Sequence, residues 1–91
     1  MLDFFSLYGS FEEFYETFFR GNEVEFIYRG QQYYILPIWN ASKTVTGVYF
    51  GKAYGENEIQ CFSKEELYNV RIEDSTLGNI LKEIKIKFYA F

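Results

Sequence analysis

The spacing of apolar residues changes twice along this chain of 91 residues, and each change marks a new kind of element. Phe11, Phe14, Tyr15, Phe18 and Phe19 recur at i, i+3, i+4, i+7 and i+8, the single stripe of an amphipathic helix. Ser10 stands three residues ahead of Glu13, a capping-box pair in which the hydroxyl accepts from a free amide and the carboxylate reaches back. Acids occupy the first turn, Arg20 the last, and Gly21 follows. That order suits the helix dipole and a glycine stop. The spacing predicts a helix over 11–20.

The period then drops to two. Val24, Phe26 and Tyr28 alternate with Glu23, Glu25 and Ile27, as in a strand with one buried face. Arg29-Gly30-Gln31 reads as a tight turn into a second strand over 32–38, so the pair is a hairpin. Pro37 has no amide to donate, which places this strand at an edge or ends it there. Residues 40–43 form a loop. A third strand follows over 44–54, with Gly47 and Gly51 as bulges or points of close approach. Gly55-Glu56-Asn57 turns the chain into a fourth strand over 58–62.

Ser63 and Glu66 repeat the capping-box spacing and open a short helix to about 69. Residues 70–72 are extended. Leu77, Ile80, Leu81, Ile84 and Phe88 then return to helical spacing, with acids before and lysines at the end, and predict a final helix over about 76–89. Gly78 weakens its first turn by about 1 kcal/mol relative to alanine. Residues 1–9 are too short a run to separate a helix capped by Asp3 from a strand. The expected fold class is α+β, an antiparallel β-meander of three to four strands with an N-terminal helix and C-terminal helices packed mainly on one face. The length fits a single domain, 1–91.

Composition removes several kinds of chemistry. There is no histidine, which excludes His-based triads and proton shuttles. The lone Cys61 excludes zinc ribbons and paired redox cysteines. Gly47-x-x-x-Gly51-Lys52 lacks the first half of a phosphate-binding loop and falls within a strand pattern. The reading is therefore of a protein without catalytic residues, cofactor or metal, and not an enzyme. No secretory leader is visible, no apolar run approaches the 18 or so residues of a membrane span, and the solitary cysteine suits a cytoplasmic location.

The net charge of −4 disfavours phosphate-backbone contacts, so direct nucleic-acid binding is not expected. That charge is uneven. Residues 1–25 hold six acids against Arg20, whereas Lys82, Lys85 and Lys87 outnumber Glu83 in the last sixteen. Nine tyrosines and eleven phenylalanines are a surplus that an AT-rich genome would itself favour.

Phe-Glu-Glu-Phe closing at Arg20-Gly21, the run from Glu23 to Gly30, Tyr33-Tyr34-Ile35, the segment from Phe62 to Leu67 and the run from Leu77 to Ile84 together carry a likeness. The chain resembles small, uncharacterised α+β proteins of AT-rich bacteria and their phages. The resemblance implies a mobile-element or host-conflict setting and assigns no activity to any residue.

Two surfaces are candidates for contact with a partner. Glu12 and Glu16 share the helix face opposite the aromatic stripe, and Glu23 and Glu25 share a strand face, offering a negative patch to a protein with a basic surface. Tyr33, Ile35 and Trp39 alternate with Tyr34, Leu36 and Ile38, while Val45 and Tyr49 oppose Val48 and Phe50. Both sheet faces are thus apolar, and Tyr33, Trp39 and Tyr49 join the four glutamates as candidate contact residues. Solvation of the acids and burial of the aromatics are the competing structural roles. The functional expectation is a small acidic inhibitor or antagonist acting through protein–protein contact, such as an anti-CRISPR or a toxin immunity protein. A homodimer or homo-oligomeric module through the aromatic sheet face is the alternative.

Overall fold

The computed structural model describes residues 1–55 and 57–89, with the side chains of 88 and 89 excepted. Strand β1 (Leu2–Asp3) runs directly into helix α1 (Phe4–Leu7), so the opening segment is both of the elements its sequence allowed. Asp3 caps α1 without a side-chain hydrogen bond and ion-pairs with Lys85 instead.

Helix α2 (Phe11–Phe18) forms where the aromatic stripe placed it. The Glu13 amide donates to Ser10 Oγ at 3.1 Å, and Glu13 Oε2 accepts from the Gly9 amide at 2.9 Å. The carboxylate thus satisfies the amide one residue before the cap. Gly21 ends the helix at φ +87°, a left-handed conformation that costs an L side chain about 1–2 kcal/mol. Helix α3 (Lys64–Tyr68) uses the same device: the Glu66 amide donates to Ser63 Oγ, and Glu66 accepts from Phe62.

Strands β2 (Val24–Tyr28), β3 (Gln31–Trp39), β4 (Val45–Lys52) and β5 (Ile59–Cys61) form the antiparallel meander. Pro37 lies inside the sheet, yet β2 reaches only as far as the Val24–Ile35 pair. Beyond it β3 is flanked by β4 alone, so the missing amide leaves no ladder bond unmade. An extra residue at Thr46 makes Trp39 pair with Val45. This bulge turns the buried Val45 to the side of Trp39, away from Tyr49, and corrects the alternation expected for this strand. Glu56, part of the turn expected ahead of the fourth strand, lies outside the described residues.

The C-terminal third departs from expectation. After α3 comes a small hairpin of β6 (Arg71–Ile72) and β7 (Ser75–Thr76), then a 3-10 turn at Leu77–Asn79. The helix expected over 76–89 does not form, and strand β8 (Lys85–Tyr89) takes its place. Leu77, Ile80, Leu81 and Ile84 are buried, so the apolar positions were read correctly while their period was not. Phe88, the last of that stripe, lies outside the described side chains. Gly78 and Asn79 are weak helix formers, and Lys85-Ile86-Lys87 alternates with period two. The deciding term is tertiary. Strand β8 inserts between β1 and β2 and supplies the ladder that β2 otherwise lacks on that side. The result is a sheet of six strands in the order β1-β8-β2-β3-β4-β5, rather than three to four.

One apolar cluster lies on one side of this sheet. Phe4, Tyr8, Phe14, Phe18, Leu67 and Leu77 come down from the helical layer onto Val24, Phe26, Tyr33, Ile35, Val48, Phe50 and Ile86. Phe14 is its pivot, with ring centroids 5.0 Å from Phe4, 4.9 Å from Tyr8 and 5.1 Å from Phe18. Truncating such a fully buried ring typically costs about 3–5 kcal/mol, a large share of a small domain's stability.

Replacing Phe14 with alanine is therefore expected to lower the unfolding free energy by about 3–5 kcal/mol in urea denaturation. Gly47→Ala is expected to cost about 1–3 kcal/mol through overpacking, because its Cβ would lie 2.5 Å from the Cys61 carbonyl oxygen. A Gly47→Ala variant as stable as the parent would contradict this packing of β4 on β5.

Candidate functional site

Register separates the two faces of the sheet. Val24, Phe26 and Tyr28 point into the core, so Glu25 and Ile27 point away from it. Tyr33 and Ile35 are buried, and Tyr34, Leu36 and Ile38 share the opposite side with Tyr49 of β4. The buried apolar side chains of α1, α2 and α3 all join the core cluster. Among the described residues no helix packs on the second face, where Ile27, Tyr34, Leu36, Ile38 and Tyr49 are half-buried.

Two glycines shape this open face. A Cβ on Gly51 would lie 2.3 Å from the Tyr34 ring, and one on Gly47 would lie 2.9 Å from the Phe62 ring. The Tyr34 ring therefore lies down across β4 at one end, with Phe62 at the other and Tyr49 between them in the strand. Glycine is required because any side chain there would lift the ring. Tyr34 Oη donates to Glu58 Oε2 at 2.7 Å, which locks the ring in place. That hydrogen bond is the chief reason the Tyr34 phenol titrates above its ordinary value.

The charged groups around the face are unequal. On the β8 side Lys85 pairs with Asp3, and Lys87 donates to Gln32 at 2.7 Å. Glu25 stands directly opposite Tyr34 in the β2–β3 ladder. Glu25 and Glu58 border a hollow of about 390 Å³, together with Gln32, Tyr34, Leu36, Ala53 and Tyr54. Tyr54 is fully exposed and adopts a left-handed φ of 63°.

The expected contact residues do not form one site. Glu12 and Glu16 are on the solvent side of α2, with Glu12 3.7 Å from Lys64. Glu23 is exposed just ahead of β2, whereas Glu25 is half-buried on the open face beyond the sheet from α2. The acids are thus spread over two sides of the molecule. Tyr33 is 6% exposed and stacks between Phe26 and Phe50, at 5.4 and 5.8 Å, and is a core residue rather than a contact. Trp39 is 54% exposed, and its ring packs 3.1 Å from where a Cβ on Gly21 would sit. Of the seven, Glu25 and Tyr49 share the open face, with β3 between them.

Sequence reasoning missed Tyr54, Glu58 and Phe62 as members of this surface. Period two does imply that Gln60 and Phe62 share a side, but only the β4–β5 register shows which side that is. Cys61 lies in the core at 1% exposure, and burial pushes its thiol upward. Among the described residues no helix is long and apolar enough to cross a membrane. No protein-family model, curated protein or solved structure matches the chain.

Two outcomes test this geometry. The folded protein is expected to leave Cys61 unreacted with a disulfide reagent at pH 8, with one equivalent titrating once urea is added; prompt reaction without denaturant would place the thiol outside the core. The raised phenols of Tyr33 and Tyr34, caused by burial and by Glu58 respectively, favour the fold while neutral. Their contribution is complete below the ordinary tyrosine value of about 10. It is lost as pH rises through the raised folded values. Glu58→Gln is expected to bring Tyr34 back toward the ordinary value in an ultraviolet pH titration.

Proposed function

We propose that this chain acts without catalysis, by binding another protein through the open face of its sheet, and that binding inhibits or antagonises that protein. The observation that carries the reading is the aromatic row of Tyr34, Tyr49 and Phe62, laid over two glycines on a face that the helices leave uncovered. Tyrosine and phenylalanine are enriched at interface centres, because each brings a large apolar area with few rotamers to freeze. The acids at the rim, neither of them paired with a cation among the described residues, favour a partner with a basic surface and speed its approach. The resemblance to small phage and bacterial proteins adds the setting. An anti-CRISPR or other anti-defence protein is one form of such an antagonist, and an immunity protein for a toxin is another.

A second reading rests on the flanks of the same face. Lys85 and Lys87 lie on the β8 side and Glu58 on the β5 side, so a second copy turned about a two-fold axis would set lysines over glutamates. Light scattering separates the two: a monomer at high concentration removes the homodimer.

The direct test immobilises the protein beside two variants, Leu36→Glu and the paired Glu12→Lys and Glu16→Lys. Each is exposed to lysate of the native host or of the cell its phage infects. A partner is expected to bind the parent and the α2 variant, and to lose affinity at least 30-fold, or about 2 kcal/mol, for a folded Leu36→Glu. Addition of the parent protein should also lower that partner's activity. Capture that survives Leu36→Glu but fails with the α2 reversal would move the site to the helix layer.

A further inference from the structure

Resting on the reading of the open face as a partner surface, we infer that the hollow over Leu36 receives an arginine side chain of the partner. Its wall is the Tyr34 ring, one side of which lies on Gly51 while its hydroxyl is tied to Glu58. The ring is therefore held in one position where it lines the hollow. A guanidinium stacks on such a ring through its planar cation, an interaction worth more as the site is desolvated.

Charge selects the same occupant. Glu25 and Glu58 border the hollow on β2 and on the approach to β5. Among the described residues no hydrogen bond or ion pair engages the Glu25 carboxylate, and Glu58 accepts from Tyr34 but pairs with no cation; the ammonium at the edge of the hollow, that of Lys87, is held on Gln32. A carboxylate beside an aromatic plane suits arginine, whose forked donors pair with one carboxylate while its plane stacks on the ring. The ammonium of lysine is a point charge, strongly hydrated and unable to stack. Leu36 and Ala53 supply apolar surface for the aliphatic stem. An anion is repelled, and among the described residues no three acidic or thiol groups converge to hold a metal ion.

Titration of the isotope-labelled protein with N-acetyl-arginine amide, followed by amide chemical shifts, tests this assignment. Saturable shifts at Glu25, Tyr34, Leu36, Ala53, Tyr54 and Glu58 are expected, with a dissociation constant of the order of millimolar. N-acetyl-citrulline amide, which keeps the shape and loses the charge, is expected to produce none. The Glu25→Gln, Glu58→Gln double variant should weaken the arginine probe at least fivefold while its own spectrum stays that of a folded protein. The assignment is overturned by an absence of saturable shifts, by equal shifts from citrulline, by shifts that persist in the double variant, or by equal affinity for N-acetyl-lysine amide. Partner capture that is lost with Leu36→Glu yet unchanged in the double variant would overturn the arginine pocket and leave the proposed binding face standing.

Discussion

A sheet has two faces, and this chain has helices enough for one. Three short helices and a 3-10 turn are its helical content among the described residues, and every apolar side chain they bury goes to the same cluster. The cluster is unusually aromatic. Phe14 joins the N-terminal segment to α2, and Phe26, Tyr33 and Phe50 carry the stack across three strands. Burial of these rings drives the fold, and it fixes which side of each strand faces in. The other side of every strand then follows from the pleat, with no further choice.

That constraint explains the unusual chemistry of the open face. A strand residue turned away from the core would ordinarily be polar in an antiparallel sheet covered on one side. Here β3 presents Tyr34, Leu36 and Ile38 instead, and β4 presents Tyr49 between two glycines. Lying over Gly51 and Gly47, the rings of Tyr34 and Phe62 cover backbone of β4, which reduces the apolar surface left exposed to water. The glycines are structural for the same reason. The acids that rim this face differ from those on α2: Glu12 and Glu16 face solvent, with Glu12 in the first turn where the helix dipole favours it, whereas Glu25 and Glu58 border the Tyr34 hollow.

The C-terminal segment shows how one buried pattern supports two structures. Leu77, Ile80, Leu81 and Ile84 have helical spacing and are all buried, yet the chain passes through a 3-10 turn and a bend before entering β8. Apolar spacing reports which residues seek the core, and a short run satisfies more than one period. The unpaired side of β2 decided the matter, because a buried strand must find partners for its amides and carbonyls. Those partners lie some sixty residues away in sequence.

Much of this protein is written locally. Helix α2, expected over 11–20 and formed over Phe11–Phe18, announced itself by its stripe, its capping box and its glycine. The four meander strands announced themselves by alternation and turn residues, and the second short helix by a second capping box. Each of these signals acts within a few residues and survives without knowledge of the rest of the chain. The sequence also separated Tyr33 and Ile35 from Tyr34 and Leu36, though not which set is inside. Tertiary structure alone decided that, since either face could take the helices until Phe14 and Phe18 met Phe26, Ile35 and Val48. It likewise decided the strand at β8, the bulge at Thr46 and the meeting of Glu25, Tyr34 and Glu58, all of which depend on register between segments distant in the chain.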